Sequence, residues 1–394
     1  FIIIALSIIG ILASDWLVWA MSPGFAADPA KFHLTVRLTQ FMFPYMLFIG
    51  LMAIAMGVLN SLKHFAAPAA APVFLNISIV ACVFLAAPFL KEKAYSLAIG
   101  VLIGGVMQFA VQLPYLKKFS MSPSVSFAFF DPAIKKIFLL MGPAAFGVGV
   151  YQLNLFVTMW FASGLAEGSV SYLYYAGRLM EIPIGVFGVA VSTAVLPSLS
   201  EHAAKEEWAE FRSSVSFALR IVAFVTIPAT VGLIILNRPI IEALFKRGSF
   251  GGLAVDGTSS ALFYYALGLV PVSISRILAS VFYSRKDAAA PVCAGLASFV
   301  FNLIFSFLLI GSLSHSGLAL AASLAAFANM LVLAVMLRLK FGRFGLREIL
   351  GSGMRAVAAS LVMGAVIFAI MFFVRMESSG YFFKAALLAV CVSA

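Results

Sequence analysis

The chain has 394 residues, of which 63% are hydrophobic and only 10% charged, and its formal net charge is +11. Its mean hydropathy is +1.09. A soluble domain carries about 25% charged residues and at most about half apolar ones, so a water-soluble enzyme, a nucleic-acid binder and a disordered scaffold are excluded. The positive charge sits in short loops between long apolar runs, which is the pattern of an all-α, polytopic membrane protein.

Twelve segments are long enough to cross roughly 30 Å of hydrocarbon, which takes about 20 residues each. They fall near 1–21, 37–60, 68–90, 94–116, 136–161, 169–199, 213–236, 257–283, 289–312, 316–338, 354–375 and 380–394. Phe1 and Ala394 both lie inside apolar runs, so the sequence reads as a fragment of a longer chain whose first run is not a cleavable signal. Prolines and glycines interrupt several spans, as at Gly142-Pro143 and at Pro183 with Gly185 and Gly188. Membrane helices tolerate such breaks where neighbours or cavity water satisfy the freed backbone, and transporters use them often.

Lysine and arginine divide between alternate loops. Fourteen lie in one set, running from Lys63 through Lys117, Arg285 and Lys286 to Arg355, and nine in the other, from Lys31 to Lys384. The richer set is expected in the cytoplasm, which starts the chain on that side. The stretch KKFSMSPSVSFAFFDPAIK at 117–135 is too polar to span and reads as a linker with a short interfacial helix.

An internal repeat joins the two parts. VLNSLKHFAAP from Val58 aligns without a gap on VFYSRKDAAAP from Val281, with identities at Val58/Val281, Ser61/Ser284, Lys63/Lys286, Ala66/Ala289, Ala67/Ala290 and Pro68/Pro291. Duplication explains the match; convergence on a common helix entry is the alternative. The copies join spans two and three and spans eight and nine, an even offset of six that makes the halves parallel repeats of the kind transporters use. Spans five and six then require partners before Phe1, so the repeat predicts two further N-terminal spans and a parent of fourteen.

Few charges lie within the spans: Asp15, Arg178, Glu181, Arg220 and Arg276. A charge at the bilayer centre costs about 2.5–3.5 kcal/mol on insertion scales, so it faces a cavity or a partner. Arg178 and Glu181 are three residues apart, on one helix face and close enough to pair. They are either an ion pair stitching two helices or a cationic point in a watery cavity, where the planar guanidinium suits phosphate. Arg276 can line a cavity or snorkel, and Arg220 is read as snorkelling. Asp15 sits beside Trp16 and Trp19 at an interfacial belt. Asn76, Gln152, Asn154 and Asn302 are candidate cavity-lining groups, although interhelical hydrogen bonding is the commoner role of such residues.

Three cysteines without CxxC spacing and four scattered histidines give no disulfide framework and no metal site. There is no Walker loop, HExxH or GxSxG context, so neither ATP hydrolysis nor hydrolytic chemistry is supported and no cofactor is expected.

The stretch YYAGRLMEIPIGVFGVAVSTAVLPSLS at 174–200 closely resembles the MurJ/MviN family of lipid II flippases. So do MSPGF (21–25), FPYMLF (43–48), APVFLNIS (71–78), QLPYLKK (112–118), MGPAAFGV (141–148), LFKRGSF (244–250) and FYSRKDAAAPV (282–292). The resemblance implies the fold of the multidrug, oligosaccharidyl-lipid and polysaccharide exporters, with two pseudo-symmetric lobes in a V-shaped, alternating-access arrangement. It implies a partial front lobe at 1–116, the linker at 117–135, a second lobe at 136–340 and an extra helix pair at 354–394 forming a groove for a lipid tail. Arg178 falls on the family's essential cavity arginine and Glu181 on the acid that follows it. Gly177 stands where the family often has Asp, which makes Glu181 the expected partner of Arg178. The implied activity is transport without bond chemistry. Lipid II, an undecaprenyl pyrophosphate bearing a disaccharide-pentapeptide, would move from the cytoplasmic to the periplasmic leaflet of the bacterial inner membrane for cell wall synthesis. Membrane lipids and the cell wall synthesis machinery are the implied partners. An exporter of another lipid-linked oligosaccharide and a drug–cation antiporter of the same superfold are the alternatives.

Overall fold

The computed structural model describes residues 2–121, 149, 152–342 and 344–374. Among them the chain is helical and has no strand, as lipid requires: each backbone N–H and C=O must find its partner within its own segment. Two compact units emerge, Phe1–Ile137 and Phe138–Ala394.

In the first unit, α1 (Ile2–Leu12) and α2 (Ser14–Met21) form a pair bent by 75°. A Gly and a Ser make the bend: the Ser14 hydroxyl donates to the Gly10 carbonyl at 2.7 Å, and Gly10 leaves the space that the Phe43 ring fills. Next come α3 (Pro29–Met42) and α4 (Tyr45–Ser61). The Asp28 carboxylate caps α3 by accepting from the N–H groups of Ala30 and Lys31 at 3.0 and 3.2 Å, and Pro29 occupies the first helical position, where its missing N–H costs nothing. The unit continues with α5 (Ala66–Ala86), α6 (Ala94–Ala110) and the short α7 (Leu113–Lys118). At Gly100 and Gly104 a β-carbon would come within 2.7 Å and 2.9 Å of the Ile79 and Leu75 backbones. Small residues are what allow α5 and α6 to touch so closely in lipid.

In the second unit, α8 (152–163) is followed by α9 (Ser169–Pro183), a π-helical segment (Ile184–Val189), α10 (Ala190–Ala204) and α11 (Trp208–Phe245). Then α12 (Gly252–Ala266) and α13 (Leu269–Ser284) form a pair bent by 44°. The 53-residue α14 (Ala289–Phe341) breaks at Ser314, whose φ of 52° and ψ of −133° are not helical. Its two arms fold back on each other. The Ser298 hydroxyl donates to the Ala325 carbonyl at 3.0 Å, and Gly317 has no room for a β-carbon against Leu309. Last comes α15 (Leu346–Val374), which packs along α11 through Leu236, Ile367 and Gly364.

Besides the small α11–α15 contact, two large apolar clusters hold this unit. One gathers Phe211, Val215, Phe282 and Leu333 near the turn between α13 and α14. The other gathers Ile241, Leu262, Leu269 and Leu318 toward the opposite end. Polar contacts close both ends. At one, Lys340 pairs with Asp287 at 2.5 Å and Arg285 lies 4.6 Å over the Trp208 ring. At the other, His315 hydrogen-bonds the Gly257 carbonyl at 3.0 Å and meets the Tyr172 ring edge-on at 5.3 Å.

Seven helices among the described residues are long and apolar enough to cross a membrane, or nine if each bent pair is one span. The expected spans 289–312 and 316–338 correspond to the two arms of α14, which that tally takes as a single helix. Most of the expected span at 136–161, the interfacial segment at 122–135 and the last span at 380–394 lie outside the described residues. The count of twelve is therefore not established by the fold. What the fold does establish is a multi-pass helical membrane protein.

Candidate functional site

The second unit contains a cavity of about 730 Å³, within the usual range for small-molecule sites. Its walls come from α8, α9, the end of α12, α13 and both arms of α14, and they include Arg178, Glu181, Arg276, Asn154 and Asn302. Five of the seven residues expected from sequence thus share one cavity. Gln152 is exposed on α8 and is not part of the lining, and Asn76 belongs to α5 in the other unit.

Arg178 and Glu181 sit in the last two turns of α9. The Arg178 guanidinium donates to Glu181 Oε2 at 2.7 Å, with side chains 56% and 62% exposed. Such exposure rules out a dry pair stitching helices together, and an exposed pair contributes only about 0–1 kcal/mol of stability. One Nη bond leaves other donors of the planar fork unused. The guanidinium also lies 5.1 Å from the Tyr174 ring, one turn earlier, which holds it by cation–π attraction.

Below this pair the helix widens. Pro183 has no N–H to return to the turn before it, and the chain continues as the π-helical Ile184–Val189. Gly188 in that segment is buried, with the Arg276 stem and the Ser273 hydroxyl at van der Waals distance from where a β-carbon would stand. Arg276 comes from α13 and reaches the same cavity, and it has no ion-pair partner among the described residues. Two guanidinium groups against one carboxylate leave the lining with a formal charge of +1. Opposite them, Asn302 is buried and structural, donating to the Asn154 carbonyl at 3.4 Å and accepting from Ser306 at 3.4 Å.

The sequence reading missed Tyr174, Tyr265, Tyr283 and Ser323 in the lining. Only Tyr174 carried a usable signal, since its i, i+4 spacing to Arg178 puts both on one face. The others depend on how the helices are rotated in the bundle.

The family model described as "Lipid II flippase MurJ" matches residues 1–389. The "Lipid II flippase MurJ" of Burkholderia cenocepacia is 37% identical over 337 residues, covering 84% of this chain and 65% of that relative. The "Probable lipid II flippase MurJ" of Vibrio cholerae is 37% identical over 334 residues, covering 83% of this chain and 64% of its own length. The chain therefore spans slightly less than two thirds of each. Among solved structures, one described as "Lipid II flippase MurJ, inward closed conformation" superposes with a TM-score of 0.83 at 27% identity, covering 99% of this chain and 78% of the other. An inward-facing multidrug resistance MATE family transporter of the MOP superfamily superposes with a TM-score of 0.68 at 17% identity, covering 90% and 78%, a likeness of fold alone. With the matched model running through nearly every residue and the cavity arginine seated in the stretch that carries the resemblance, this chain belongs to the lipid II flippase MurJ family.

Proposed function

We propose that this chain works as a lipid II flippase, carrying the headgroup of an undecaprenyl pyrophosphate-linked peptidoglycan precursor from the cytoplasmic to the periplasmic leaflet by alternating access. The observation that carries the reading is the cationic cavity, in which Arg178 and Arg276 face open space with Glu181 as their single counter-charge among the described residues. A pyrophosphate presents pairs of anionic oxygens, and the planar fork of a guanidinium binds them through parallel, charge-assisted hydrogen bonds. Glu181 holds the Arg178 fork in place before substrate arrives and keeps the empty cavity from being a permanent anion trap. No bond is made or broken, so the protein is a transporter rather than an enzyme.

In this reading 1–116 belongs to one lobe, 136–340 to the other, with 117–135 between them, and 354–394 guides the polyprenyl tail. The end of the second unit that carries Trp208, Arg285 and Lys340 faces the cytoplasm of a bacterial inner membrane. The cell wall synthesis machinery then meets the translocated lipid on the opposite side. A drug–cation substrate fits less well, because it would meet two guanidinium groups and one carboxylate.

The test expresses the full-length gene of which this chain is part in cells depleted of their own flippase and measures surface lipid II with a probe that cannot cross the membrane. Wild type is expected to restore labelling, and a well-expressed Arg178→Ala variant to lose at least tenfold. Full labelling by the variant would remove Arg178 from substrate binding, and no labelling by wild type would reject the substrate.

A further inference from the structure

The cavity around Arg178 and Arg276 is chemically two-sided. Among the described residues, every charged group of its lining stands on α9 or α13, while both arms of α14 contribute only neutral side chains. On α13 the lining residues Val272, Arg276, Ala279 and Tyr283 fall three or four apart and so form one stripe. Tyr283 stands two turns beyond Arg276, about 10 Å along the helix. Asn329 approaches the same end from the second arm of α14. One turn later on its face, Leu333 joins the apolar cluster around Phe282, the neighbour of Tyr283. The basic residues of the adjoining turn stay out of the lining: Arg285 lies over Trp208, and Lys340 is paired with Asp287.

Two side chains at this end are idle in the packing of the protein itself. Tyr283 is 52% exposed, and among the described residues neither its hydroxyl nor the half-buried Asn329 amide makes a hydrogen bond. Asn302, by contrast, commits its amide to Asn154 and Ser306. A free amide and a free phenol need partners that the fold does not supply, and the uncovered ring adds an apolar face. A pyranose, with hydroxyls on its edge and C–H bonds on its faces, meets both needs. A peptide rich in carboxylates would find no cation on α14, and a polyprenyl chain would leave the amide unpaired.

We propose, resting on the lipid II reading, that Tyr283 and Asn329 form a saccharide subsite beside the arginines and set the preference for a glycosylated lipid over its sugar-free carrier. The Tyr283 ring covers one face of the sugar, and the Asn329 amide both donates to and accepts from its polar substituents. Arg276 and Arg178 hold the phosphates further in. A site built to hydrogen-bond a ligand rejects the analogue that lacks those groups, because its own polar atoms then lose water without replacement.

The full-length protein of which this chain is part would be reconstituted in phosphatidylcholine nanodiscs. Its affinity would be measured for lipid II, for undecaprenyl pyrophosphate bearing the disaccharide without the peptide, and for undecaprenyl pyrophosphate alone. Wild type should bind both glycosylated lipids at least tenfold more tightly than the sugar-free one. Tyr283→Leu and Asn329→Leu should each reduce that ratio at least threefold, and Tyr283→Phe, which keeps the ring, should retain most of it. Arg178→Ala should weaken all three ligands alike, as would a general loss of fold, so the ratio between ligands carries the test. Equal affinity of wild type for glycosylated and sugar-free lipids would overturn the subsite and leave the flippase reading standing. An unchanged ratio in the two leucine variants, or a preference that requires the peptide, would do the same. Binding of none of the three by wild type would overturn both.

Discussion

The two turns related by the sequence repeat, one in each unit, share a backbone but are held by different chemistry. At Ser61–His64 and again at Ser284–Asp287 a helix ends with the same bonds. Ser61 and Ser284 donate to the carbonyls of Val58 and Val281 at 2.7 and 2.8 Å. The His64 and Asp287 N–H groups reach back to Leu59 and Phe282 at 2.9 and 3.0 Å. Lys63 and Lys286 between them take the left-handed conformation, with φ of 58° and 57°, as the Schellman motif demands. Leu59 and Phe282 are both wholly buried. Beyond this point the copies part. His64 stacks on Tyr115 with ring centroids 4.6 Å apart, whereas Asp287 accepts from Lys340 and from the Ala290 N–H. In each case the residue after the left-handed lysine ties the turn to a later helix of its own unit, by an aromatic stack in one and an ion pair in the other. A fold can keep the geometry of a joint while exchanging the forces across it.

The largest effect expected from this pairing lies beneath the turns. Phe282→Ala should cost about 3–5 kcal/mol and Leu59→Ala about 2–5 kcal/mol, through the cavity and the lost packing, read as thermal unfolding in detergent. A loss below about 1 kcal/mol at either position would break the equivalence.

Next come the two fastenings. Asp287→Asn should cost about 1 kcal/mol, from a weakened cap and a lost, partly exposed ion pair. Tyr115→Leu should cost about as much through its lost stack. The hydrogen bond from Lys340, reinforced by the Ala290 N–H, holds the Asp287 carboxyl below its ordinary pKa. A depressed carboxylate stabilises the fold above its unfolded pKa, about 3.9, and loses that contribution as pH falls through the folded value. Wild type should therefore lead Asp287→Asn at pH 7 and approach it below about pH 4. A gap that stays constant with pH would show that the charge contributes nothing. The smallest effect is a gain: Lys63→Gly and Lys286→Gly should each stabilise by roughly 0.5 kcal/mol, as relief of the left-handed conformation outweighs the entropy of glycine. A loss at one turn alone would mean that its lysine side chain does more than occupy the turn.

Much of this protein was legible without a structure, because lipid leaves so few options. An apolar run must be a helix, so the positions of the spans that fall among the described residues followed from composition and length. Pro183, with Gly185 and Gly188, announced a break, and the π-helical segment begins immediately after that proline. The i, i+3 spacing of Arg178 and Glu181 fixed their pairing before any packing was known.

Other features depended on the bundle. Nothing in the periodicity of Arg276 separated a cavity position from snorkelling, since that depends on how α13 is rotated and on the space left by Gly188. Gln152 and Asn154, two residues apart on α8, met opposite fates for the same reason: one is exposed and the other lines the cavity. Arg220, read as a lone snorkelling residue, shares a groove with Arg347 and Arg355 from well over a hundred residues away. Sequence alone determined that the apolar segments are helices, that one of them breaks at Pro183 and which neighbours on one helix can meet, because those are properties of a single segment in lipid; the bend between α1 and α2 and the break between α3 and α4, inside spans read as continuous, were not among them. Only the tertiary structure decided which charges share a cavity, because that depends on the rotation and contact of helices whose apolar faces are, to the sequence, interchangeable.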